Sequence, residues 1–200
     1  TANTLTKPSI SYYAWDQAVG TAGAELVIAD NRGLDNSTLS LTGDTVEIAV
    51  TDVNDAPVIT APTEATVAED GTVGITGVSL ADVDVSNRTD FDATNNNLTV
   101  TLSVSHGTIT LASVAGLTFN SGTTNGSASL NITGSLSAIN TAIATLTYAP
   151  SLNFNGSDTL VINANDLGNV GGTARPATHQ TIAITVTGVN DAPIVIDGTP

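Results

Sequence analysis

Thr45–Val58 reads TVEIAVTDVNDAPV, and Thr181–Ile194 reads TIAITVTGVNDAPI. Nine of the fourteen positions are identical at a constant offset of 136 residues, so the chain holds the ends of two related units. In both stretches apolar and polar residues alternate up to Val-Asn-Asp-Ala-Pro. Alternation of period two is the signature of a half-buried strand, and the Asn-Asp-Ala-Pro that follows has turn chemistry. A weaker match joins Ser9–Gly20, SISYYAWDQAVG, to the segment DTLVINANDLGNVG that begins at Asp158. Each is an alternating stretch that ends in Asp (Asp16, Asp166) with Gly soon after. Residues 1–56 therefore read as the C-terminal part of one unit, 57–193 as a complete unit, and 194–200 as the start of a third. With Thr1 in place of Met and a start in mid-pattern, the chain reads as a piece of something longer.

Working outward, the pattern stays that of strands. Leu98, Val100, Leu102 and Val104 alternate with Thr and Ser, and Ile109 and Leu111 resume the pattern after a Ser-His-Gly turn. Leu117 and Phe119 are expected to pair with Ala128, Leu130 and Ile132 across a turn ending in Asn125-Gly126. Val161 leads into the Asp166 loop, and Ile182, Ile184 and Val186 form the last strand. Short strands with turn residues every 8 to 12 positions predict an all-β, antiparallel sandwich. One segment departs from it. In SLSAINTAIATL, Leu136, Ile139, Ile143 and Leu146 recur at three- and four-residue spacing behind Ser135, an N-cap residue. This predicts one short helix crossing an end of the sandwich. Residues 1–56 hold about four strands, half a sandwich, and are expected to be the least stable part.

Composition excludes several functions. The 200 residues include 19 acids and only four Lys and Arg, a net charge of −15, so phosphate backbones would be repelled and no nucleic acid is expected as partner. Hydrophobic residues make up 40%, enough for a core, yet no apolar run approaches the ~18 to 20 residues of a membrane span. Without cysteine there is neither disulfide nor thiol chemistry. No Gly-x-Ser-x-Gly elbow, His-Glu-x-x-His helix or phosphate-binding glycine loop occurs, and neither His106, in an expected hairpin turn, nor His179, at a strand entrance, has a nucleophile implied nearby. The sequence reads as non-catalytic. Trp15 reads as a core residue ahead of the alternative, an exposed sugar-stacking platform, and Asn-x-Ser/Thr triplets such as those at Asn36 and Asn131 are expected by chance in a chain so rich in Ser and Thr.

The acids are where chemistry is expected. Asp82, Asp84, Asp90 and Asp92 fall within eleven residues, and like charges so close repel unless solvated or shared by a cation. An EF-hand begun at Asp82 fails, with Asn87 at position six and Ala93 at position twelve. Oxygen-rich Asn and Asp in turns nevertheless suit a hard cation such as Ca²⁺.

At this point the residues resemble a known family. Asp52-Val-Asn54-Asp55-Ala-Pro57 is similar to the cadherin linker, Asp82-Val-Asp84 to its D-x-D motif, Asn165-Asp166-Leu167-Gly168 to its D-x-G turn, and Ala68-Glu69-Asp70 to its early Glu motif. Together with LTYAPSLNFNGSDTL, these phrases resemble the cadherin-like tandem repeats of large RTX-type bacterial adhesins. The resemblance implies an immunoglobulin- or cadherin-like sandwich and Ca²⁺ at two junctions. At the first, Asp52, Asn54 and Asp55 would meet Asp82, Asp84 and Asp166. At the second, Asn190 and Asp191 would meet Glu69, although Gly188 stands where the first linker has Asp52. It further implies an extracellular, surface-bound extender that aids cell adhesion, with neighbouring repeats of the same chain as partners. The alternatives are a module that binds a glycan, a protein or ice, and an accessory domain of a secreted hydrolase.

Overall fold

The structure is a computed structural model that describes residues 9–12, 44–48, 53–86, 97–168, 173–176 and 179–193. The expectations placed on Tyr13, Trp15, Asp16, Asn36, Asp52, Asp90, Asp92 and residues 194–200 lie outside the described residues. Two compact units divide the chain, residues 4–51 and residues 52–200. In the first, β1 (Ser9–Tyr12) pairs antiparallel with β2 (Asp44–Glu47).

The second unit is all-β apart from two short helices. Its strands are β3 (Val58–Thr60), β4 (Glu64–Ala68), β5 (Val73–Gly74), β6 (Ser79–Ala81), β7 (Asn97–Ser103), β8 (Gly107–Leu111), β9 (Leu117–Phe119), β10 (Ser129–Ser135), β11 (Leu146–Pro150), β12 (Gly156–Asn165) and β13 (Gln180–Thr187). A six-stranded sheet runs β4-β13-β12-β7-β10-β9, a three-stranded one β5-β11-β8, and β3 pairs with β6. Among the described residues all strand pairings are antiparallel except β13 with β4. The expected pairing of Leu117 and Phe119 with the strand through Leu130 and Ile132 is present, with Phe119 opposite Ile132.

Alternation builds the core. Leu98, Val100 and Leu102 of β7, Leu160 and Ile162 of β12, and Ile182, Ile184 and Val186 of β13 face inward and are at most 3% exposed. They meet Ile109 and Leu111 of β8 and Leu146 and Tyr148 of β11 from the other sheet. Each such aliphatic side chain removed from water contributes about 1.5–3 kcal/mol.

The expected helix is α2 (Leu136–Ile143), its first turn capped by Ser135, whose Oγ accepts from the Ala138 N–H at 3.2 Å. Ile139, Ala142 and Ile143 point into the core, and the helix carries the chain from β10 in one sheet to β11 in the other. Two expectations are corrected. A second helix, α1 (Val83–Ser86), follows Asp82, so the count of one was short. The turn holding His106 is not a hairpin, because β7 and β8 belong to different sheets and the turn is an arch between them. Alternation marks both strands alike and does not say which partner each will take.

β12 is the longest of the described strands. From Asp158 near its start to Asp166 just past its end is about 25 Å at ~3.3 Å per residue. Asp166 lies at the linker pole, where residues 53–57 lead into the sandwich; Asp158 lies at the exit pole, where β13 leaves it.

Candidate functional site

Five polar or charged side chains are buried among the described residues: Asn54, Glu69, Asp82, Asp158 and Asp166. All five sit at the poles. Burying a carboxylate is costly unless donors surround it, so each burial needs its own local cause.

At the linker pole, Asp82 ends β6 and opens α1, and its Oδ1 accepts from the N–H groups of Asp84 (2.9 Å) and Val85 (3.1 Å). Asp84 in turn accepts the Asp55 N–H at 2.6 Å, which fixes the incoming chain to the α1 turn. Asp166 is 1% exposed, and its Oδ1 accepts from Gly168 N–H (2.9 Å) and Arg175 N–H (2.7 Å). Its Oδ2 accepts from Asn54 Nδ2 at 2.6 Å, while the same amide reaches the Thr173 carbonyl at 3.1 Å. Leu167 is held at φ +60°, a left-handed conformation costing a non-glycine residue about 1–2 kcal/mol, stabilised by the Asn165 and Asp166 side chains on either side of the turn.

Asn54 and Asp55 of the linker are therefore joined to Asp166, in the loop after β12, and to Asp84, in α1, and an open cavity of ≈ 520 Å³ beside them is lined by Asp55, Ala56, Val58, Ala81, Asp82 and Val83. Burial pushes the Asp82 carboxyl up; the two N–H donors pull the other way, and the charges of Asp84 and Asp166 add to the rise. Of the residues expected at the first junction, Asn54, Asp55, Asp82, Asp84 and Asp166 are brought together, whereas Asp52 lies outside the described residues. Among the described residues no three His, Cys, Asp or Glu side chains converge as a ready metal cage. Asp82 Oδ1, Asp84 Oδ2 and both oxygens of Asp166 accept from N–H groups instead.

At the exit pole, Glu69 is 6% exposed. Its Oε1 accepts the Val189 N–H at 2.6 Å and its Oε2 accepts from Asn155 Nδ2 at 3.1 Å. These two donors, Val189 first, hold its carboxyl below the ordinary value. Glu69 thus grips the second Val-Asn-Asp-Ala-Pro through its valine, but Asn190 and Asp191 are exposed, with Asn190 Nδ2 only 3.4 Å from the Asp191 carbonyl.

Asp158 was not foreseen. Its carboxylate accepts from the N–H groups of Ser105 (3.0 Å), His106 (2.9 Å) and Thr159 (2.8 Å) and from the Tyr148 hydroxyl (2.9 Å). Burial pushes this acid up, yet the four donors leave it below the ordinary value, and the same pairing and burial push the Tyr148 hydroxyl up. It pins the β7–β8 arch to the core, and His106 stacks on Phe154 outside it at 4.2 Å between ring centroids. The signal was present: Asp158 keeps the phase of the inward residues Leu160, Ile162 and Ala164, where alternation calls for an apolar side chain.

Residues 87–171, less than half of the chain, match the family model described as the Protein GAMETE EXPRESSED 2 domain. That family is eukaryotic, so the match overturns the resemblance to cadherin-like repeats of RTX-type bacterial adhesins. The motifs behind that resemblance are short turn sequences, which recur wherever strands meet oxygen-rich loops. A search of curated proteins finds no match. Among solved structures, domains 1–6 of the surface layer protein SbsC are 14% identical over 75% of this chain, with a TM-score of 0.28. The chain spans 15% of that protein's length. A PapD-like domain of human CEP192 is 7% identical over 72% of this chain and 94% of that one (TM-score 0.31). An endo-fucoidan hydrolase of glycoside hydrolase family 107 is 16% identical over 82% and 19% (TM-score 0.28). Likeness at this level assigns neither fold nor role.

Proposed function

We propose that residues 52–200 form a non-catalytic spacer module of an extracellular, tandemly built protein, and that a hard divalent cation, Ca²⁺, fastens the incoming linker to its linker pole. Its partners are neighbouring units of the same chain, and its contribution to adhesion is to hold other domains at a distance. The observation that carries this reading is the tie of Asn54 and Asp55 to Asp166 and Asp84, next to an Asp82 carboxyl pushed up by burial and by its acidic neighbours.

The donor set suits the ion. Carboxylates of Asp82, Asp84, Asp166 and Asp55, the Asn54 amide and the Thr173 carbonyl are hard oxygen ligands of the kind Ca²⁺ takes six to eight of. Asp52 would add another. Asn54 now offers its nitrogen to Asp166 and Thr173. Turning the amide over would offer its oxygen, so the ion replaces N–H donors that already mark where positive charge is wanted. Extracellular modules bind Ca²⁺ at ~10⁻⁴ to 10⁻³ M, so the linker would stiffen only outside the cell.

Calorimetric titration of the whole chain with Ca²⁺ and with Mg²⁺ tests this. Saturable Ca²⁺ binding in that range, abolished by Asp84→Ala and unmatched by Mg²⁺, is the expected result. Equal heats for Asp84→Ala and the parent would remove the linker pole as the site.

A further inference from the structure

The chain contains two Asn-Gly steps, Asn125-Gly126 and Asn155-Gly156, and they stand in opposite situations. Asn125 is clamped at both ends of its amide: Oδ1 accepts the Leu111 N–H and Nδ2 donates to the Leu111 carbonyl, each at 2.8 Å. Gly126 N–H is engaged as well, donating to the Ile109 carbonyl at 3.0 Å. Asn155 is exposed and is held by its Nδ2 contact to Glu69 Oε2 at 3.1 Å. Gly156, at φ +133°, is exposed too and opens β12 opposite Val186.

We infer that Asn155 is a site of spontaneous deamidation that acts on the exit pole, while Asn125 is protected. The Gly156 nitrogen, losing its proton, attacks Asn155 Cγ; the C–N bond of the side-chain amide breaks and ammonia leaves with that proton. The resulting succinimide is opened by one water at either carbonyl, leaving aspartate or isoaspartate. No oxidant or catalyst is needed.

The consequence follows from what Asn155 touches. A neutral donor to Glu69 becomes a second carboxylate about 3 Å from it, and two carboxylates that close cannot both stay ionised where they are. Glu69 also holds the Val189 N–H, so the grip on the second Val-Asn-Asp-Ala-Pro is lost with it. The exit pole therefore ages from tethered to loose.

The test is to hold the folded chain in mildly alkaline buffer at body temperature and follow peptides by mass spectrometry, with urea-unfolded chain alongside. Expected is a gain of about 1 Da at Asn155, including isoaspartate, while Asn125 converts only in the unfolded sample. Asn155→Gln should abolish that gain, and Asn155→Asp should speed hydrogen exchange at the Val189 amide without altering it at Leu111. Conversion of Asn125 at the same rate as Asn155 in folded protein, no conversion at Asn155 while the unfolded chain reacts, or unchanged Val189 exchange in Asn155→Asp would each overturn the inference.

Discussion

Asp82 and Asp158 are both buried carboxylates, yet they respond to acid in opposite senses. The folded value of Asp82 is raised, so its ionised form costs stability at neutral pH, and that cost fades as pH falls through the raised value. Asp82→Asn keeps an oxygen for the Asp84 and Val85 N–H groups and drops the charge. In EGTA at neutral pH the variant is expected to be more stable than the parent in urea, with the difference shrinking on acidification; with Ca²⁺ the parent should recover and the variant should not. A variant weaker than the parent in EGTA would mean that Asp82 is not charge-frustrated. Asp158 is the reverse case. Its folded value is depressed, so it contributes stability above the ordinary carboxylate value of about 4, lost as pH falls through the folded value. Tyr148→Phe removes one of its four donors and should cost about 1–2 kcal/mol at neutral pH. That difference should narrow in acid, and urea unfolding at several pH values measures it; a pH-independent difference would place the loss in packing alone.

Among elements, much was legible and the reason is periodicity. The inward phase of β7, β10, β12 and β13 is written in their apolar residues, and α2 announces itself by Ser135 and its three-and-four spacing. Pairing was less legible, because it is decided by long-range contacts. The β7–β8 arch could be told from a hairpin only by knowing that Asp158 holds Ser105 and His106, 52 to 53 residues away in sequence. Asn140 is another case: on α2 it accepts the Leu80 N–H and donates to the Leu80 carbonyl, each at 2.8 Å, standing in for a strand neighbour of β6. Nothing in the helical spacing distinguishes it from an exposed polar residue. Gly107 marks how tightly the arch closes. A Cβ there would meet the Ala149 carbonyl and lie 2.6 Å from Tyr148 Cε2. Gly107→Ala should cost roughly 1–3 kcal/mol or more by forcing β8 from β11, whereas an alanine at Gly74, with open space around it, should cost far less. Similar midpoints for the two variants would count against that tight closure.

At the scale of the molecule, the buried polar side chains among the described residues sit at two poles about 25 Å apart, with an apolar core between them. The net charge of −15 makes self-repulsion a standing cost that a bound cation would relieve locally. The candidate residues of the linker pole were legible because the repeated Val-Asn-Asp-Ala-Pro drew the eye to one strand end and Asp166 to another. Their convergence was expected only through the family resemblance and not from spacing, since Asn54 and Asp166 are 112 residues apart and are joined only by the fold. The exit pole was half legible: Glu69 was expected, but its partner is the Val189 N–H, a backbone group that no side-chain motif displays.

Thermal unfolding of the whole chain in millimolar Ca²⁺ and again in excess EGTA, with Mg²⁺ as control, tests the cation-fastened linker most directly. A rise in Tm specific to Ca²⁺, absent in Asp55→Ala and Asp84→Ala, is the result the account predicts. Superimposable curves in Ca²⁺ and EGTA would contradict it and leave the acids of the linker pole held by the protein's own N–H groups, those of the backbone and of the Asn54 amide.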